Sequence, residues 1–225
     1  LFRSDLDELS LQHLKLNYLN QHPGTGIRTI SIEDLQLNLN DVRIDSLTQR
    51  DANRLGYAKS VSASIQNFKA HTADSLYTIK IDEFTGSSET EQARITGLSV
   101  DPGYPEMEFS FQFKEQRSRY AFSAKEIVLN KLNYHLLTSK FLSASDLSIT
   151  EAKMNIFLNR TQPKPYINRD HTFPGLALKR LPFSLLIDSI HIKESKLGYT
   201  EYNPNSQGKG TVLFENVKGE FSHVT

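Results

Sequence analysis

The sequence predicts an all-β fold: an elongated, curved antiparallel sheet of repeated bent hairpins with one apolar face and little helix. Three observations predict it, namely apolar residues that alternate with polar ones, turn residues between the alternating segments, and a hairpin pattern that recurs. A sheet with one apolar face must cover that face, and no predicted helix is long enough to do so. We therefore expect the apolar face to form a groove or an open, barrel-like surface.

The alternation with period two is clearest around residues 107–113. Met107, Phe109, Phe111 and Phe113 would share one face of a strand, and the residues between them are polar. Three further segments show the same alternation: Tyr77, Ile79 and Ile81; Met154, Ile156 and Leu158; and Phe183, Leu185 and Ile187. Residues 4–18 could also form the apolar stripe of a helix, but their match to a later segment of the chain favours a strand.

Turn residues separate the predicted strands. Segments 22–26, 101–105 and 203–206 are rich in proline, glycine, asparagine and aspartate, which favour tight turns. Residues 160–182 contain four prolines, so we expect a long loop with little regular structure there.

Many predicted strands contain two polar residues between apolar ones, which breaks the alternation by one step. Segments 32–37, 144–149, 187–192 and 214–219 all show this pattern. A β-bulge or a corner would return the apolar side chains to one face, and it would bend the strand there. We therefore predict bent strands.

The sequence contains an internal repeat. Residues 6–39 align with residues 187–221 across a single one-residue gap, which matches Tyr18 with Tyr199 and Pro23 with Pro204. Half of the unit recurs at 147–156, and the unit is a bent strand, a turn and a bent strand. Any two amphipathic hairpins look somewhat alike, but the matched tyrosine, proline, glycine and glutamate favour true repetition. We interpret residues 1–225 as a single fragment of a repeated β domain, and we expect a longer parent protein because the chain begins without methionine.

Composition restricts the possible functions. Lys+Arg and Asp+Glu both number 26, so the net charge is zero, which argues against a nucleic-acid partner. The absence of cysteine excludes a disulfide framework and a thiolate metal site. The longest aliphatic run, residues 185–187, is far shorter than the roughly 20 residues of a membrane span.

No motif in the chain indicates catalysis. The seven histidines show no HxH or HExxH spacing, and no serine stands in a G-x-S-x-G pattern. Gly208-Lys209-Gly210 lacks the phosphate-loop pattern, and Asp188 has no partner carboxylate at a position that the sequence can assign. We expect no catalytic residue, no metal and no cofactor.

The C-terminal segment resembles a known family. The residues that carry this resemblance are Leu181-Pro182-Phe183, the segments 187–192 and 197–201, a polar turn, and the segments 210–217 and 221–225. They resemble the repeat of AsmA-like envelope proteins, most closely the long uncharacterised forms of Bacteroidota, over 180–225 and, through the internal repeat, 1–40. The resemblance implies a periplasmic module, an inner-membrane anchor outside this chain, and an elongated groove that shields lipid acyl chains. It brings no catalytic residues.

Together these observations predict a non-catalytic cell-envelope module that binds or shields lipid acyl chains, in lipid transport or envelope maintenance. The candidate residues lining the apolar groove are Phe109, Phe111, Phe113, Leu185, Ile187, Ile192, Leu197 and Tyr199. The alternative is a structural or adhesive β-repeat that binds a protein or a glycan through its polar face or through the 160–182 loop.

Overall fold

The computed structural model describes residues 3–22, 26–45, 48, 51, 54–165 and 183–225. Almost all of the regular structure is strand, which confirms the all-β prediction. The strands are β1 (Ser4–His22), β2 (Gly26–Ile44), β3 (Ala58–His71), β4 (Tyr77–Ser87), β5 (Gln92–Pro102), β6 (Arg119–Asn130), β7 (Phe141–Thr150), β8 (Lys153–Asn159), β9 (Ser184–Asn203) and β10 (Gly208–Val224). Two short helices complete the described elements: α1 (Glu106–Ser110) and α2 (Tyr134–Leu137).

All ten strands belong to one sheet. Eight of them follow the order β1-β2-β3-β4-β5-β6 and then β9-β10, with β7 and β8 between β6 and β9 as the two halves of one bent strand. Neighbouring strands are antiparallel, except that β9 runs parallel to both β7 and β8. The sheet is therefore mixed, although mainly antiparallel. Most of the predicted 160–182 loop and residues 23–25 of the first predicted turn lie outside the described residues.

The predicted strand at 107–113 is wrong. Glu106–Ser110 forms α1 and the following residues form turns, so the alternating phenylalanines do not share a strand face. Pro105 precedes the helix, and glutamates at 106 and 108 occupy its first turn, where negative charge favours a helix start. These local signals overrode the alternation.

The two segments aligned in the sequence form the terminal hairpins, β1–β2 and β9–β10. Both hairpins bend at matching positions. His13 (φ 55°) in β1 corresponds to Glu194 (φ 51°) in β9, and Asp41 (φ 48°) in β2 corresponds to His223 (φ 54°) in β10. Such left-handed backbone is uncommon outside glycine, so its recurrence at equivalent sites indicates a shared local geometry.

The bends line up across the whole sheet. Residues with positive φ in different strands lie near one another in the pairing register and form a line across the sheet, which we call the upper kink row. Its members are His13, Asn67, Gly97, Glu151, Glu194 and Asn216. A second line, the lower kink row, contains Asp41, Glu91, Lys131 and His223. In the lower row only Asp41 and His223 lie inside strands, because Glu91 is in the turn before β5 and Lys131 follows β6. Of the four segments with a phase change, only 214–219 contains a residue with positive φ, Asn216.

The kink at Lys131 keeps apolar side chains on one face. Leu129 and Leu132 are three residues apart, which in a regular strand would place them on opposite faces. Lys131 (φ 51°) lies between them, and both leucines join one hydrophobic cluster with Ala93 and Ala144. A left-handed residue thus shifts the alternation by one step and returns the next apolar side chain to the same face.

The fully buried core is small. The buried apolar residues of the described chain include six alanines and only two phenylalanines, Phe109 and Phe157, each 2% exposed. Most larger aliphatic side chains are only half-buried. A single sheet without a second layer has this burial pattern, because one side of each apolar residue has no neighbour.

Candidate functional site: the apolar face of the sheet

One face of the sheet carries uninterrupted rows of apolar residues that run across the strands. Residues paired in register point to the same side, so each row is a strip of neighbouring side chains. Next to the upper kink row, one strip is Leu14, Leu35, Ile65, Phe84, Ile95, Ile127, Ile149, Ile192 and Gly219. The strip beside it is Leu11, Leu37, Ala63, Gly86, Ala93, Leu129, Leu147, Ile190 and Phe221.

The rows continue beyond the upper kink row. The strip there is Tyr18, Ile30, Ala70, Ile79, Val100, Phe122, Met154, Leu197 and Phe214. Because the kink restores the face, we infer that this strip lies on the same side as the rows below it. We call the combined surface the apolar face. It crosses nine strand positions, and eight spacings of about 4.8 Å make it about 38 Å wide.

Exposure on this face rises from the centre to the edges. Ile65, Ile95 and Ile127 are half-buried by their neighbours in the sheet. At the edge strands, Leu11 is 39% exposed and Phe214 is 53% exposed. Scattered exposed apolar residues are normal in a soluble protein, but a continuous apolar patch marks an interaction or ligand-binding surface.

The segment after β6 covers one end of the face. Leu132 is 4% exposed, and Tyr134 of α2 packs on the cluster that contains Ala93 and Ala144. The Tyr134 hydroxyl donates a hydrogen bond to the carbonyl oxygen of Gln92, and burial raises the pKa of this tyrosine. This segment therefore covers the lower end of the apolar face over β5, β6 and β7, whereas Leu9 on β1 is 38% exposed.

The opposite end carries an aromatic depression beside α1. Its volume is about 620 Å³, and its lining includes Tyr77, Phe109, Phe113 and Tyr120. Phe109 contacts the rings of Tyr77 and Phe113 at centroid distances of 5.7 and 5.4 Å. Among the described residues, this end of the face is lined by aromatic side chains together with polar ones that include Asp74 and Arg117; the aromatic part suits an apolar ligand.

The structure separates the predicted groove residues into two groups. Ile192, Leu197 and Tyr199 lie along β9 and belong to the rows of the apolar face. Leu185 and Ile187 lie nearer the lower end of β9, where they pair with Leu142 and Ala144, and Ile187 is only 2% exposed.

The phenylalanines of the α1 region are dispersed rather than aligned. Phe109, buried in α1, and Phe113 both line the aromatic depression, whereas Phe111 is 57% exposed at the end of the helix. They form no strip of groove-lining residues, because the segment is not a strand.

Sequence reasoning missed the central strands, which contribute most of the face. The strip that contains Ala63, Gly86 and Ala93 has too little apolar bulk for its strands to stand out in the pattern. Ile65, Ile95 and Ile127 were visible as β-branched residues in alternating segments, but only the register shows that they are neighbours.

The other face of the sheet is polar and internally hydrogen-bonded. Asp146 is at its centre: it accepts from the Asn130 amide at 3.2 Å and from the Ser189 hydroxyl at 3.3 Å, and its carboxylate lies 3.1 Å from His191 Nε2. Towards the upper end, Lys80 donates to Asp101 at 2.8 Å, which lowers the pKa of that carboxyl. These contacts satisfy many polar groups of the face, although the buried Asp34 Oδ1 has no hydrogen-bond partner among the described residues.

Tyr199 is the one candidate residue with a shifted acidity. Burial raises the pKa of its phenol, and a hydrogen bond of 3.0 Å to the Glu201 carboxylate raises it further. The phenol therefore stays protonated and donates to Glu201. Within the described ranges, no cluster of three or more histidine, aspartate or glutamate side chains could hold a metal ion. No helix in the described part of the chain is long and apolar enough to cross a bilayer.

No protein-family model, no curated protein and no solved structure matches this chain.

Proposed function

We propose that this chain is a non-catalytic module of the cell envelope that binds or shields lipid acyl chains on the apolar face of its sheet. The observation that supports it most is the set of continuous apolar rows across nine strand positions. The resemblance of residues 180–225 to AsmA-like repeats is the reason for proposing an envelope location and a membrane-anchored parent protein.

An acyl chain suits this face for two reasons. First, the face has no polar side chain along its central rows, so it offers non-directional apolar contact and no hydrogen bonds for orientation. Secondly, its width of about 38 Å exceeds the bilayer hydrocarbon core of about 30 Å, which two opposed acyl layers fill. A complete acyl chain can therefore lie across the strands.

The energy of such binding would come from desolvation. A fully buried methylene contributes about 0.8 kcal/mol, and a chain lying on an open sheet would gain about half of that, because one side stays uncovered. The aromatic depression around Tyr77, Phe113 and Tyr120 would enclose a chain end more completely. Affinity should thus increase with chain length.

A pair of matched variants in β3 tests the proposal. Ile65 is on the apolar face between Leu35 and Phe84, whereas its chain neighbour Ser64 is on the polar face between Gln36 and Thr85. Both side chains are half-buried. A glutamate at 65 would place a charge where the acyl chain lies, and a glutamate at 64 would add the same charge to the other face.

The measurement is mass spectrometry of organic extracts from each purified protein, together with binding of a fluorescent fatty acid. We expect lipid in the wild-type and S64E extracts and at least a tenfold loss of probe affinity in I65E. Circular dichroism checks that both variants fold. Equal probe binding by I65E and S64E, or wild-type protein that binds no probe, would contradict the proposal and favour a structural or adhesive role.

A further inference from the structure

Both edges of the sheet are open in the described part of the chain. β1 and β10 each pair with one neighbour only, and they are 19 and 17 residues long. Long unpaired edges expose backbone hydrogen-bonding groups and invite another strand. Apolar side chains on both edges are exposed, for example Tyr18 at 49% and Phe221 at 54%.

The polar face carries one unexpected feature at each edge. Leu19 on β1 is 65% exposed, and Leu213 on β10 is 56% exposed. The two leucines lie at opposite ends of a row that contains Thr29 and Thr78 near one edge and Asn155 near the other. An acyl ligand on the apolar face would cover neither leucine.

The edges fit each other in a single register. The path across the sheet from β1 to β10 has eight steps between neighbouring strands, of which seven are antiparallel and one, the step to β9, is parallel. Because the direction reverses seven times, β1 and β10 run in opposite directions. A translated copy would therefore set its β1 antiparallel to β10. The register that pairs Phe221 with Leu11 also pairs Phe214 with Tyr18. This follows because the two residues of each strand are seven positions apart.

The same register brings the two exposed leucines together. It pairs Leu213 of one copy with Leu19 of the next, and it places Glu215 diagonally beside Lys15. In this register His13 lies opposite Gly219 and Asn216 lies opposite Leu16, so the two kinks are offset by three residues.

We propose that β10 of one chain pairs antiparallel with β1 of a second copy, so that chains join head to tail into one continuous sheet. Such an interface joins two different surfaces and does not close, so it produces open chains of copies. The apolar rows would then continue from copy to copy. The inference rests on the edges and does not depend on which ligand the apolar face binds.

Two complementary variants test this interface. The β1-edge variant carries L11K, Y18K and L19K, and the β10-edge variant carries L213K, F214K and F221K; all six side chains are exposed. Lysine on an edge strand opposes strand addition. L137K is the control, because Leu137 is an exposed leucine of α2 away from both edges.

Sedimentation velocity over a concentration series is the measurement. We expect the wild type and L137K to form assemblies that grow with concentration, each edge variant to remain a monomer, and an equimolar mixture of the two edge variants to form a complex of two chains. A monomeric wild type at every concentration would overturn the proposal. Association of either edge variant alone would also overturn it, because it would indicate pairing of like edges or of apolar faces. A mixture of the two edge variants that stays monomeric would overturn it as well. Circular dichroism of each variant shows that a monomeric result comes from a folded chain.

Discussion

Gly97 is the position of the upper kink row where the geometry makes the sharpest prediction. Its φ is +65°, and a Cβ added there would lie 1.9 Å from Asp82 Oδ2 and 2.9 Å from Asp82 Cβ on the neighbouring strand β4. Left-handed backbone costs a non-glycine residue about 1–2 kcal/mol, and the overlap adds about 1–3 kcal/mol. We expect G97A to lower the free energy of unfolding by about 2–5 kcal/mol.

A double-mutant cycle separates the two contributions. D82A removes the carboxylate, which makes the closest contact, but keeps the Cβ at 2.9 Å, so in this background the cost of G97A should fall towards the backbone cost of about 1–2 kcal/mol. D82A alone should change stability by about 0.5 kcal/mol or less, because Asp82 is exposed. Urea unfolding followed by circular dichroism measures all four proteins. Additive costs, within about 0.5 kcal/mol, would refute the close approach of Asp82 to Gly97 and with it the alignment of the kinks.

Three further predictions concern α1, the polar face and the turn after β8. F109A should destabilise the protein by about 3–5 kcal/mol, since Phe109 is 2% exposed, whereas F111A should cost about 0.5 kcal/mol or less. Thermal or urea unfolding measures both variants. Similar losses of stability in the two variants would favour a strand in place of α1. Lys80 holds the pKa of Asp101 below its ordinary value. The pair therefore stabilises the fold above the ordinary aspartate pKa, and this is lost as the pH falls through the lowered value. K80M should raise the Asp101 pKa in a carboxyl NMR titration. It should lower the free energy of unfolding by at most about 1 kcal/mol, because both side chains are about half exposed. An unchanged Asp101 pKa would contradict the contact between Lys80 and Asp101. Asn159 is 1% exposed and accepts hydrogen bonds from the backbone N–H and the hydroxyl of Thr161. N159A should lower the free energy of unfolding in urea by about 1–3 kcal/mol, and T161V should lower it by less. A larger loss in T161V than in N159A would show that the Asn159 amide is not the main hydrogen-bonding group of this turn.

The sequence predicted the terminal hairpins well because their strands are long and their pattern occurs twice. The interruption of alternation in segment 214–219 coincides with a residue at positive φ, Asn216, whereas segment 187–192 contains none. The sequence of a single strand can indicate such a position. Where two polar residues interrupt the alternation in a strand with one apolar face, the backbone must depart from regular geometry to return the next apolar side chain to that face.

Two parts of the fold were not predicted: in one, two local signals competed, and the other was beyond local patterns. The alternating phenylalanines at 109–113 indicated a strand, but Pro105 and the glutamates at 106 and 108 favoured the helix start that the structure shows. The parallel pairing of β9 with β7 and β8 depends on where the chain returns to the sheet, which periodicity does not record.

The candidate face was predicted as a property but not as a set of residues. Ile192, Leu197 and Tyr199 were found because the repeat drew attention to β9, whereas Ile65, Ile95 and Ile127 become neighbours only through the register. Register depends on pairing across the sheet, so a single strand's sequence cannot reveal it.

Photocrosslinking with a diazirine-bearing fatty acid, followed by peptide mapping, tests most directly whether acyl chains lie on the apolar face. The rows predict labelling at half-buried apolar positions such as Ile65, Ile127 and Ile149, and at the aromatic depression around Phe113. Positions of the polar face such as Ser64 and Ser148 should remain unlabelled. Equal labelling of both faces, or labelling confined to the polar face, would contradict the proposed function.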